Sequence, residues 1–148
     1  MNTPTLAAMR LEEKQITAYY DAESRILHVA YRGILSSAVS AQFYSWLGAA
    51  IAQFPEEVTR AWGSIYDFRD VTQFDNANLF STQQQSKTLN QQTDFSNHPV
   101  AMLVANNIQE EYVRMTMTIT PGQSRKRIVF SPEEGLAFIE IFHRNKGK

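Results

Sequence analysis

Cysteine is absent from the 148-residue chain. Disulfide staples, thiolate zinc sites, iron–sulfur clusters and cysteine nucleophiles are excluded with it. Long apolar runs are missing too. No stretch approaches the ~20 apolar residues that span a bilayer. Near the start a short apolar patch, Leu6 to Met9, precedes Arg10. A secretory signal carries its charge ahead of a longer apolar run, so no signal peptide is read and the cytoplasm is the expected compartment. An excess of one charge is also lacking: 14 Lys+Arg stand against 15 Asp+Glu, a formal net charge of −1. That balance argues against strong nonspecific binding to nucleic acid or to an anionic membrane. No glycine-rich phosphate loop and no Gly-x-Ser-x-Gly nucleophile elbow is found.

What is present is ordinary globular material, 43% hydrophobic and 20% charged. A chain of this size buries roughly 70% of its unfolded surface and holds a core unaided. The charge is unevenly placed. Residues 1–113 carry a net of −5 and residues 114–148 a net of +4. The basic part comes from Arg125-Lys126-Arg127 and from the tail after His143. No aromatics interleave with those cations, as single-stranded RNA binding would require. A solvated loop and a frayed end are the expected reading.

Residues 1–14 read as a poorly ordered leader or a short helix, and residues 15–148 as one domain. Ile16 to Tyr20 and Arg25 to Arg32 read as strands of an opening hairpin, joined by polar Asp21 to Ser24 and ended by Gly33. Ser36 or Ser37 caps a helix to about Phe54, with Val39, Phe43, Trp46, Leu47, Ala50 and Phe54 as its apolar stripe, and Pro55 stops it. Trp62 to Phe68 is a third strand, followed by a polar loop from Asp70 to Asn78. A second helix spans about Asn76 to Thr93. Ser81 to Gln92 is rich in glutamine, a poor composition for covering a core.

Pro99 to Ala105 is a continuous apolar run, the mark of a strand covered on both faces. Asn106 or Asn107 opens a third helix to about Thr118. Arg127 to Phe130 is the last strand. Ser131, Pro132 and Glu134 form a capping box for a last helix to about Arg144. That helix is apolar on more than one face, and Phe138, Ile141 and Phe142 point to a homodimer contact. Strands alternating with helices after a hairpin predict an α/β sandwich, with a mixed sheet of about five strands and four main helices.

This order resembles the STAS domain and its SpoIIAA-like, anti-sigma-factor-antagonist relatives over roughly residues 15–144. Four places carry the resemblance: the hairpin ending in Gly33, the segment Tyr66 to Asp75, the apolar strand Val100 to Ala105, and Val129 to Leu136. The resemblance implies a regulatory, non-enzymatic module that works through a protein partner. In the regulatory family a loop reading Asp-Ser-Ser-Gly-Leu is phosphorylated on its second serine. The matching stretch here is Asp75-Asn76-Ala77-Asn78-Leu79. Ala77 has no hydroxyl, so the phospho-switch does not carry over. The partner surface is expected on this loop.

Catalytic groups are sparse. His28, His98 and His143 lack metal-site spacing and read as structural or exposed. Asp67, Asp70 and Asp75 with Arg69 gather near a strand end, where carboxylates do acid–base work or hold magnesium, yet aspartate is also a common turn residue. Neither a cofactor nor a resident metal is expected. A second function class rests on apolar residues. Phe80 and Leu89 on the second helix, facing Met115, Met117 and Ile119 on the third, suggest a carrier for a nonpolar, lipid-like molecule.

Overall fold

The computed structural model describes residues 4–75, 84–85, 87–89, 93, 95–119 and 125–146. The elements run β1 (Leu11–Glu12), β2 (Ile16–Asp21), β3 (Ile26–Leu35), α1 (Ser37–Gln53), α2 (Pro55–Thr59), β4 (Gly63–Phe74), β5 (Val100–Leu103), α3 (Asn107–Ile119), β6 (Lys126–Val129) and α4 (Pro132–Lys146). All strands join one six-stranded sheet in chain order. β1, β2 and β3 pair antiparallel, and β3 through β6 pair parallel. The mixed α/β layer expected from the sequence is therefore present, with one strand more.

The hairpin turn follows from Asp21. Its carboxylate accepts from the Glu23 amide at 3.1 Å and from the Ser24 hydroxyl at 2.9 Å. Such side-chain bonds to the chain just ahead are how aspartate makes turns. They also hold its carboxyl below the usual range, the Ser24 bond most of all.

Three local expectations are corrected. Gly33 does not end its strand. It takes φ +69°, the β3–β4 register slips beside it, and the strand runs on to Leu35. Glycine absorbs a bulge in that left-handed region at little cost. The polar run from Asp70 is not loop up to Phe74: β4 is twelve residues long, and Leu35 still pairs with Phe74. Val71, buried within it, gives that stretch an apolar anchor. The leader, finally, belongs to the fold. Leu6, in a 3-10 turn over Leu6–Ala8, is 0% exposed, and β1 pairs with β2. Trp46 locks it down by donating its indole N–H to the Met9 carbonyl at 2.9 Å.

Helices cover both faces. Ser36 caps α1, accepting from the Val39 amide, and Val39, Phe43, Trp46, Leu47 and Ala50 are buried. Pro55 closes that helix and opens α2. α1 packs into the larger core with Leu27, Val29, Tyr31, Val100 and Met102. On the other face α4 buries Phe138 and Ile139 against Ile65, Ala101, Leu103 and Val129. Ser131 accepts from the Glu134 amide at 3.1 Å, the cap expected there. Phe138 thus belongs to the chain's own core, while Ile141 and Leu136 remain exposed. Among the described residues no helix is long and apolar enough to cross a membrane.

Candidate functional site

Strand register puts three rows of side chains on the face that carries α1. Leu27, Ser64, Val100 and Lys126 stand side by side across β3, β4, β5 and β6. Two residues further along come Val29, Tyr66, Met102 and Ile128. Beyond them Tyr31 stacks on Phe68, ring centroids 5.3 Å apart. Period-two alternation sends all of these to one side.

A cavity of about 100 Å³ lies over these rows. α1 roofs it with Ser40, Phe43, Tyr44 and Leu47, and α3 contributes Tyr112 and Val113. Leu89 and Phe95, from the connection between β4 and β5, complete the cover. Phe43 meets Tyr66 edge-on at 5.5 Å. Burial raises the Tyr66 phenol to about 12 against the opposing charge of Arg125, and burial first, then the neighbouring tyrosines, pushes Tyr31 upward as well.

One end of the cavity is polar. Ser64 Oγ and His98 Nε2 lie 2.5 Å apart in a hydrogen bond, and both residues are buried. Burial, then the Arg125 cation, lowers His98 to about 3, so the ring is neutral near pH 7. The Ala61 carbonyl interacts with the ring, but no bond of good geometry reaches Nδ1. Arg125 donates from Nη1 to the His98 carbonyl at 3.3 Å. Burial lowers Arg125 too, and burial followed by the charge of Arg125 brings Lys126 to about 8.

A serine beside a histidine invites comparison with a nucleophile and its base. Catalysis of that kind wants a base poised near the working pH and a third group that orients it. His98 at about 3 is too weak a base, and no carboxylate bonds its Nδ1. The pair forms the polar end of the cavity.

No protein-family model matches the chain. No curated protein matches it either. In structure it is similar to a DUF3478-family protein of Shewanella loihica, an uncharacterised protein with a SpoIIAA-like fold. The match covers 84% of this chain and 91% of that one, at 14% identity and a TM-score of 0.57. The fold is SpoIIAA-like.

Within this SpoIIAA-like fold only some of the expected site residues fall among the described ones. Asp75 sits just past β4, and its amide donates to the Leu35 carbonyl at 3.0 Å. Asn76, Ala77, Asn78, Leu79 and Phe80 lie outside the described residues. Leu89 reaches the cavity; Met115 is 51% exposed and does not line it. Met117 and Ile119 fall in α3, with side chains outside the description. The floor is the sheet, and its one methionine among the described lining residues is Met102.

The aspartates do not converge into a metal site. Asp67 is held by Arg69 at 3.0 Å, and no group of three metal-ligating side chains occurs among the described residues. His28 stacks on Tyr19 at 5.0 Å, and His143 stacks on Trp62 at 3.7 Å with Nε2 2.6 Å from the Trp62 carbonyl.

Sequence reading missed Ser64, Arg125 and Lys126. The basic triplet does not form a solvated loop: Lys126 and Arg127 open β6, and Arg125, just ahead of it, is 8% exposed. The signal was the alternation Lys126-Arg127-Ile128-Val129. It puts Lys126 on the face of Ile128 and Arg127 on the other, where its guanidinium lies 5.1 Å from the Phe138 ring centroid.

Proposed function

We propose that this chain is a non-enzymatic binding module whose cavity takes a small, largely apolar molecule. The observation that carries this reading is an aromatic-lined space of about 100 Å³ ending in fixed polar groups. Ligand sites have that composition: mostly apolar walls and a few placed polar atoms. Size limits the occupant. An engineered apolar cavity of ~150 Å³ takes benzene, whereas sites for drug-sized ligands run to roughly 300–1,000 Å³. A single ring or a short chain fits here, and a long acyl chain does not, which narrows the lipid-like carrier expected from the sequence.

Benzene and toluene test this by thermal unfolding. At ten times the dissociation constant a ligand stabilises by about 1.4 kcal/mol. For a chain this long that raises Tm by roughly 3–5 °C. Val113→Phe, which pushes a ring into the same space, removes the shift. Failure of wild type to respond to either compound overturns the reading.

A second reading keeps the regulatory partner implied by the resemblance. Ile34, Ile108 and Phe130 are exposed near the C-terminal end of the parallel strands, the end where Asp75 follows β4. A partner docking there through Asp75 to Leu79 would be lost from both Ile108→Glu and Asn76→Arg in a binding assay. A captured protein indifferent to both changes counts against it.

A further inference from the structure

Ser64 and His98 both line the cavity, and the place of one proton decides what they offer a ligand. A neutral imidazole has one N–H and one bare nitrogen. Nε2 is engaged by Ser64 Oγ at 2.5 Å. Nδ1 is buried, with no hydrogen bond of good geometry. The Ala61 carbonyl acts on the ring, and with Nε2 taken by Ser64 it is left to Nδ1. A carbonyl oxygen attracts an N–H and repels a bare ring nitrogen, so the proton belongs on Nδ1. Nε2 is then the acceptor, and Ser64 donates its O–H to it.

A hydroxyl has one proton and two lone pairs. With its proton committed to His98, Ser64 Oγ can only accept. Ser64 is 1% exposed, and among the described residues no other group bonds its side chain. The cavity wall therefore holds a buried acceptor that lacks a donor. Leaving such an atom unmet costs free energy, and a ligand that supplies the donor recovers it. The next row along the same face, Tyr66 with Met102, lies about 6.6 Å further on. A phenol whose oxygen sits ~2.8 Å from Oγ carries its ring roughly one row on, over that pair.

We infer that the cavity selects a small hydroxyl compound of the phenol type, its O–H donated to Ser64 Oγ and its ring over Tyr66 and Met102. This rests on the cavity being a binding site, as argued above. His98 acts through Ser64: by taking the serine proton it turns the hydroxyl into an acceptor.

Three probes of one outline separate the claims: phenol, which donates, pyridine, which only accepts, and toluene, which does neither. Each is titrated into wild type and Ser64→Ala while backbone amide shifts are followed by NMR. Ser64→Ala lowers the phenol-to-toluene affinity ratio roughly tenfold and leaves the pyridine-to-toluene ratio unchanged. Toluene binding by the variant shows its cavity intact. Nitrogen-15 NMR of the histidine rings in wild type, which needs no variant and no ligand, finds the His98 proton on Nδ1. A proton on Nε2, a phenol ratio that Ser64→Ala does not move, or a pyridine ratio that falls in its place overturns the inference and leaves the cavity reading intact. Binding of none of the three to wild type overturns the cavity reading itself.

Discussion

Replacing His98 by glutamine isolates what a buried neutral imidazole does to acid stability. The folded chain holds His98 at about 3, against an ordinary 6.5. Below pH 6.5 the unfolded chain takes up a proton that the folded chain refuses. Stability therefore falls as pH drops through that window, down to about 3. At pH 4.5 the cost of keeping the ring neutral is about 2.7 kcal/mol, and at pH 7 only about 0.2. The loss between them is about 2.5 kcal/mol, and a folded value anywhere below about 4 gives nearly the same figure. Glutamine can still hydrogen-bond Ser64 but does not titrate. Urea unfolding of both proteins, followed by tryptophan fluorescence, reads the difference while every other titrating group cancels. The stability gap should move by about 2.5 kcal/mol in favour of the variant between pH 7 and pH 4.5. A gap that stays constant across that range would falsify the buried, neutral account of His98.

Other substitutions test other parts of the fold by the same unfolding measurement. Leu6→Ala should cost about 2–5 kcal/mol, because a fully buried leucine leaves a cavity; a change under half a unit would show the N-terminal segment detached from the core. Gly33→Ala should cost about 1–2 kcal/mol from backbone alone, since no atom lies within 4 Å of the added methyl group and φ is +69°; a neutral effect contradicts the bulge. Gln109 donates from Nε2 to the carbonyls of Arg69 and Val71, both at 3.1 Å, and accepts from the Ala105 amide at 2.7 Å. Gln109→Ala, stranding those groups, should cost about 3 kcal/mol.

Apart from β1 and α2, and from the expected helix over about Asn76 to Thr93, which lies largely outside the described residues, element order was legible because it depends on periodicity and on strong local signals. The stripe of α1, the Ser131 cap and the apolar β5 run each declared themselves. Strand ends were less legible. Gly33 and Asp70 carry breaker and polar signals, yet β3 and β4 extend past them because each pairs with the other, a non-local fact. Leu6 was hidden for the same reason: its burial depends on the 3-10 turn packing against β2, and Trp46, far along the chain, bonds the neighbouring Met9. The site was least legible. Ser64, His98 and Lys126 come from three segments, and only the parallel register of β4, β5 and β6 brings them together. A basic triplet looks solvated until strand alternation is applied to it, and the aromatic lining of the cavity looks like ordinary core.

Xenon is the most direct probe of the space over the sheet, because it enters small apolar cavities without needing the polar end. Crystals pressurised with xenon should show a single strong anomalous peak among Val29, Tyr66 and Met102. That peak should vanish in Val113→Phe. No peak there in wild-type crystals, or a cavity closed by side chains, would contradict the account.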